Sequence, residues 1–169
     1  MIVNTRPSIL ANKTNELLAR SGIEFMHEPL TKILSIAPSN QALEKLQQLD
    51  SYDAIIFTSQ SAAKFGAPYL QKHTSKNLNL LIMAIGLATQ RVLSAHGLVS
   101  EVPLGFNSAG LAGLIEQGKH EKCLIFCGGK QPQLSFHTPV TLDTFSCYKV
   151  IDEESIELSN ITGNRKAIF

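Results

Sequence analysis

Ala54-Ile55-Ile56-Phe57 is a continuous apolar run with polar neighbours on both sides, and a helix-like stretch follows it at once. A strand that is apolar on both faces belongs inside a parallel sheet covered on both sides. Thr58, Ser59 and Ser61 stand where the next helix must begin, and Ala62, Ala63, Phe65 and Leu70 supply its apolar positions. The pattern recurs along the chain. Leu80 to Ile85 precedes Gly86-Leu87-Ala88-Thr89 and a helix through Val92 and Leu93, and Cys123 to Phe126 precedes Cys127-Gly128-Gly129-Lys130. Leu98 to Val102 reads as a further short strand, followed by Gly105-Phe106-Asn107-Ser108 and a helix with Leu111, Leu114 and Ile115 on one face. Strands alternating with helices at this spacing specify an α/β fold with parallel strands and right-handed crossovers.

The flanks are less regular. Ile2-Val3 opens as a strand, Pro7 stands at the first turn of a helix with Leu10, Thr14, Leu17 and Leu18 on its stripe, and Ile23 to Met26 reads as a second strand. Pro29 to Pro38 reads as an extended connector, after which Ser39 caps a helix carrying Leu43, Leu46 and Leu49. From Gln131 to Thr144 the periodicity fails, permitting at most a short helix, while Phe145 to Ile151 is strand-like and Asp152 to Asn164 is polar with a weak helical stripe. Lys166-Ala167-Ile168-Phe169 repeats the character of Asp53 to Phe57 and stops where a hydroxyl turn should follow. A strand cut at its last residue leaves an uncovered edge, so a fragment of a longer protein is expected.

Composition removes several classes. A hydrophobic content of 44% over 169 residues suffices for a packed core. Lys and Arg total 15 against 14 Asp and Glu, with no basic run, which argues against a duplex nucleic-acid partner. No apolar stretch approaches the roughly twenty residues of a membrane span. The N-terminus shows no cationic region or cleavage site, so a cytoplasmic location is expected. The odd number of cysteines, Cys123, Cys127 and Cys147, fits a reducing compartment. In a strand Cys123 and Cys127 stand about 13 Å apart, too far to share a metal. The histidines show no ligand spacing either, and no metal is expected.

Several strands thus end in small or hydroxyl-bearing residues: Thr58-Ser59, Gly86, the Gly105–Ser108 loop and Gly128-Gly129. In a parallel sheet such ends lie along one rim. Two readings of the hydroxyls stay open. They cap helices, accepting orphan N–H groups of the first turn, or they face an anionic ligand alongside those N–H groups. No phosphate loop or dinucleotide fingerprint is present.

The ordered set Thr5-Arg6-Pro7, Tyr52 to Ser59, Ala84-Ile85-Gly86-Leu87-Ala88-Thr89, Asn107-Ser108-Ala109-Gly110-Leu111, Leu124 to Gly129 and Tyr148 resembles the uroporphyrinogen-III synthase family. The resemblance implies two flavodoxin-like parallel-sheet domains joined by a two-stranded ladder, here with residues 1–36 and 148–169 in an incomplete first domain and 37–147 in a complete second one. It implies cyclisation of hydroxymethylbilane to uroporphyrinogen III with ring D inverted and water lost, without metal or cofactor. The expected partner is that polycarboxylate tetrapyrrole, held by a monomer, with pairing of an exposed half-sheet as the alternative. Tyr148 is similar to the tyrosine proposed as the acid that assists hydroxyl loss, with hinge packing as its competing role. Thr58, Ser59, Gln60, Gly86, Thr89, Asn107, Ser108, Cys127, Gly128, Gly129 and Lys130 are the candidate substrate-binding residues. For Thr89 helix capping competes with substrate contact, and for Lys130 a solvated loop position does. After Gly129 the chain departs from the family pattern, since Gln131-Pro132-Gln133 and Pro139 interrupt the usual helix. A different class of function also fits these features: a non-catalytic synthase-like or flavodoxin-like module that binds an anionic ligand or a partner.

Overall fold

The computed structural model describes residues 1–74, 80–129 and 133–153, and the backbone of 166–168. The elements follow the order β1 (Ile2–Asn4), α1 (Ser8–Arg20), β2 (Phe25–His27), β3 (Thr31–Ser35), α2 (Asn40–Gln47), β4 (Ala54–Phe57), α3 (Gln60–His73), β5 (Leu81–Ala84), α4 (Leu87–Ala95), α5 (Ser108–Gln117), β6 (Lys122–Gly128), β7 (Thr141–Asp152) and β8 (Lys166–Ile168). They divide into two compact units, Met1–Leu34 with Lys149–Phe169, and Ser35–Tyr148.

In the first unit β1 lies between β2 and β8, parallel to both. α1 buries Ala11 and Leu18, whereas Leu17, expected on the apolar stripe, is 55% exposed. Asn4 is fully buried and satisfied, donating to Asn15 Oδ1 at 2.7 Å and accepting from the Arg6 N–H at 3.2 Å. The second strand begins later than its sequence pattern indicates, at Phe25, because Ile23 turns back onto α1, its N–H bonding the Leu18 carbonyl.

The larger sheet runs β3-β7-β6-β4-β5. β4 is central, with Phe57 in register with Ala84 of β5 and Phe126 of β6, all parallel. β3 runs antiparallel to β7, since Ile36 donates to Cys147 while Glu153 donates to Leu30. Alternation along the strands sends Ile55, Phe57, Ile82, Ala84, Leu124 and Phe126 to the face covered by α2, α3 and α4. Ala54, Ile56, Met83, Cys123, Ile125 and Cys127 face α5 and the segment Leu134–Val140. Both faces are therefore dry, as an all-apolar β4 requires. Phe126 stacks on Phe57 at 4.6 Å and tilts against Phe145 at 4.7 Å, so the core under α3 is aromatic.

Two sequence expectations are corrected here. Leu98 to Val102 is not a strand: Glu101 alone bridges Met83, exchanging backbone bonds with Ile82 and Ala84 before Pro103 ends the pairing. Residues 141–144 are strand, although their periodicity is poor. Thr141 pairs with Lys122 and donates to the Glu121 carbonyl at 2.7 Å, and Asp143 is retained because Tyr52 donates its hydroxyl to it at 2.9 Å. Asp143 in turn holds the Tyr52 phenol well above its usual range, behind the larger effect of burial.

Candidate functional site

In β4 the chain leaves the sheet at Thr58, and each of its neighbours leaves at the same level, because Phe57, Ala84 and Phe126 are in register. The turns at Thr58-Ser59, Gly86 and Gly128-Gly129 therefore form one row. Thr58 closes this edge structurally, its hydroxyl donating to the Phe126 carbonyl at 3.1 Å. Ser59 takes the capping role that the sequence offered and also meets a second hydroxyl. Its Oγ caps α3 by accepting the Ala62 N–H at 2.9 Å and lies 3.1 Å from the Tyr148 hydroxyl.

Tyr148 reaches this position through a register shift. Cys127 pairs with Ser146, but Gly128 pairs with Tyr148, leaving Cys147 as an extra residue in β7. Strict alternation would set Cys147 and Tyr148 on opposite faces. The extra residue instead lets both pack on the α3 side, Cys147 buried and Tyr148 partly buried. The ring then lies 6.4 Å from Phe65 and against Gly128, where a Cβ would stand 2.9 Å from its Cε2 and Cζ atoms. Only glycine leaves that space.

At the next turn Gly86 occupies the N-cap of α4 and offers no side-chain acceptor, so the first N–H groups of α4 have no side-chain cap. Thr89, one turn in, is 3% exposed, and its hydroxyl makes no hydrogen bond among the described residues; it does not act as a cap. Phe106 lies beside Gly86, its Cβ 3.7 Å from where a Gly86 Cβ would be, and this brings the Gly105–Ser108 turn to the same row. Asn107 caps α5 by accepting the Gly110 N–H at 2.8 Å, while Asn107, Ser108 and Gly129 are exposed and Gln60 is half-buried.

The row therefore joins Ser59, Tyr148 and Gly128 directly, and Gly86 with the Asn107 turn. Cys127 stands apart: its thiol is buried among Ile56, Ile125 and Leu111, and burial raises its pKa. Lys130 lies outside the described residues. Phe106 was not singled out by sequence reasoning, and its signal is conformational, a positive φ of 45°. Among the described residues no His, Cys, Asp and Glu groups are placed to hold a metal, and no helix is long and apolar enough to cross a membrane.

A family model described as HEM4, uroporphyrinogen-III synthase HemD, matches residues 12–135. Two crystal structures of uroporphyrinogen III synthase from the extremely thermophilic bacterium Thermus thermophilus share the fold. A selenomethionine mutant form gives a TM-score of 0.60 at 14% identity, covering 90% of this chain and 63% of that one. The wild-type form gives 0.52 at 16% identity, covering 90% and 62%. This chain thus spans less than two thirds of the length of either structure. No curated protein matches it by sequence.

Proposed function

We propose, on the premise that this chain belongs to the uroporphyrinogen-III synthase family, that it closes the linear tetrapyrrole hydroxymethylbilane to uroporphyrinogen III, inverting ring D and releasing water. Membership of that family supports reading it as a lyase-type enzyme of porphyrin and heme biosynthesis. The observation that carries the reading is the hydroxyl pair of Ser59 and Tyr148, 3.1 Å apart where β4 and β6 end.

A hydroxymethyl group departs as water once its oxygen receives a proton, and the electron-rich pyrrole it leaves stabilises the resulting carbocation. Tyr148 supplies that proton, and its phenolate recovers one from the pyrrole carbon after ring closure. Ser59, fixed by the Ala62 N–H, orients the phenol. The N–H groups of the first turn of α4 and the Thr89 hydroxyl receive substrate carboxylates, which lets a nearly neutral chain hold a polyanion. A monomer in the cytoplasm is the state proposed for this activity.

The test is the isomer composition of uroporphyrin obtained when the chain meets freshly generated hydroxymethylbilane. Isomer III in excess over the spontaneous isomer I supports synthase activity. Isomer I alone from folded protein refutes it for this chain and favours the binding-module reading.

A further inference from the structure

We infer that Phe106, with Leu104 two residues before it, forms an apolar wall against which one pyrrole ring of a polycarboxylate tetrapyrrole lies. The backbone of Phe106 sits in the left-handed region at φ 45°, a conformation disfavoured for a residue bearing a large side chain. The adjacent Gly105 takes a conventional φ, so the strain falls on the aromatic residue. Such strain persists only where the surroundings impose it, and it gathers at binding sites. Here the turn is fixed at both ends. The Phe106 N–H donates to the carbonyl of buried Pro103 at 3.2 Å, and Asn107 is committed to capping α5.

What the strain displays is apolar surface. Phe106 is 54% exposed, Leu104 is fully exposed and Leu87, the first residue of α4, is 47% exposed. Of this surface Phe106 borders Gly86, its Cβ 3.7 Å from where a Gly86 Cβ would be, at the start of α4. An apolar wall beside amide N–H groups and a threonine hydroxyl suits a ligand that is flat and aromatic on its faces and anionic at its edges. Inorganic phosphate has no use for the wall, and an aliphatic acid none for an aromatic ring. The occupant follows from the tetrapyrrole reading proposed for this row.

The experiment is fluorescence titration of uroporphyrin III with the native chain and with Phe106→Gly, Phe106→Tyr and Val99→Ser. Glycine relieves the strain at φ 45°, so Phe106→Gly is expected to fold at least as stably, checked by thermal unfolding. The native chain and Phe106→Tyr should bind alike, Phe106→Gly about tenfold more weakly through loss of the ring contact, and Val99→Ser, altered at an exposed site outside the turn, as the native. Absence of native binding, undiminished binding by Phe106→Gly, or equal weakening by Val99→Ser overturns the inference. So does conversion of a native dimer to monomer by Phe106→Gly, which would make a second copy the occupant. Isomer III with undiminished binding by Phe106→Gly refutes the wall alone. Binding through Phe106 with only isomer I refutes the synthase activity alone.

Discussion

The ring of Tyr148 fills the space above Gly128 so closely that a Cβ there would stand 2.9 Å from two of its carbons and 3.2 Å from its hydroxyl oxygen. Position 128 therefore sets where the phenol can be. Gly128→Ala should push the ring away from Ser59 and lower the rate of isomer III formation about a hundredfold, the cost typical of an ångström-scale misplacement, with thermal unfolding little changed. Undiminished activity would show that this phenol position is not used.

Tyr148→Phe keeps the ring against Gly128 and Phe65 and removes only the proton. Its isomer III rate should fall about a hundredfold or more, as for a lost general acid, while uroporphyrin affinity holds. Ser59→Ala should lose stability as well as rate, by about 1 kcal/mol, because the same oxygen caps α3. The two variants differ in urea midpoint, and equal stabilities would contradict the dual role of Ser59.

Gly66, inside α3, inverts the usual helix rule. Replacing an interior helix glycine by alanine ordinarily gains about 1 kcal/mol. A Cβ on Gly66 would stand 2.4 Å from Phe126 Cδ1 and 3.2 Å from Phe57 Cε1, against rings already stacked on each other. Gly66→Ala should therefore destabilise by about 1–3 kcal/mol in urea unfolding, the range for overpacked cores. A gain in stability would mean the aromatic stack yields more readily than its packing indicates.

Burial raises the Cys123 thiol from 9.0 to about 11 and the Cys147 thiol to about 12. The folded state thus keeps protons that the unfolded chain releases near pH 9. The stability contributed is complete below that pH and declines as pH rises towards 11 and 12. Alkaline titration should show unfolding in this window, and Cys147→Ala should flatten the slope there. At neutral pH all three buried thiols should resist alkylation until the protein unfolds. Rapid labelling of the native chain would contradict their burial.

Much of this was legible in the chain because the signals are local. The apolar runs of β4, β5 and β6 follow from a requirement that acts residue by residue, that both faces be dry. The capping roles of Ser39 and Ser59 follow from bonds that span three residues. Where local pattern and tertiary pairing diverge, the sequence misleads. Leu98 to Val102 has strand-like residues but finds a ladder partner only at Glu101. Thr141 to Thr144 lacks the pattern but gains backbone partners from β6.

The candidate site divides in the same way. By itself the sequence determined that hydroxyl and glycine residues follow the strands, because apolar runs must end in turns that can begin helices. Only the tertiary structure decided that Ser59 meets Tyr148 across 89 residues, that Cys127 turns into the core, and that Phe106 stands beside Gly86. The strand order places β6 and β7 next to one another, and one extra residue at Cys147 reverses the face that alternation would give Tyr148. A one-residue shift in pairing leaves no trace in composition or periodicity, because it arises from how two distant strands align.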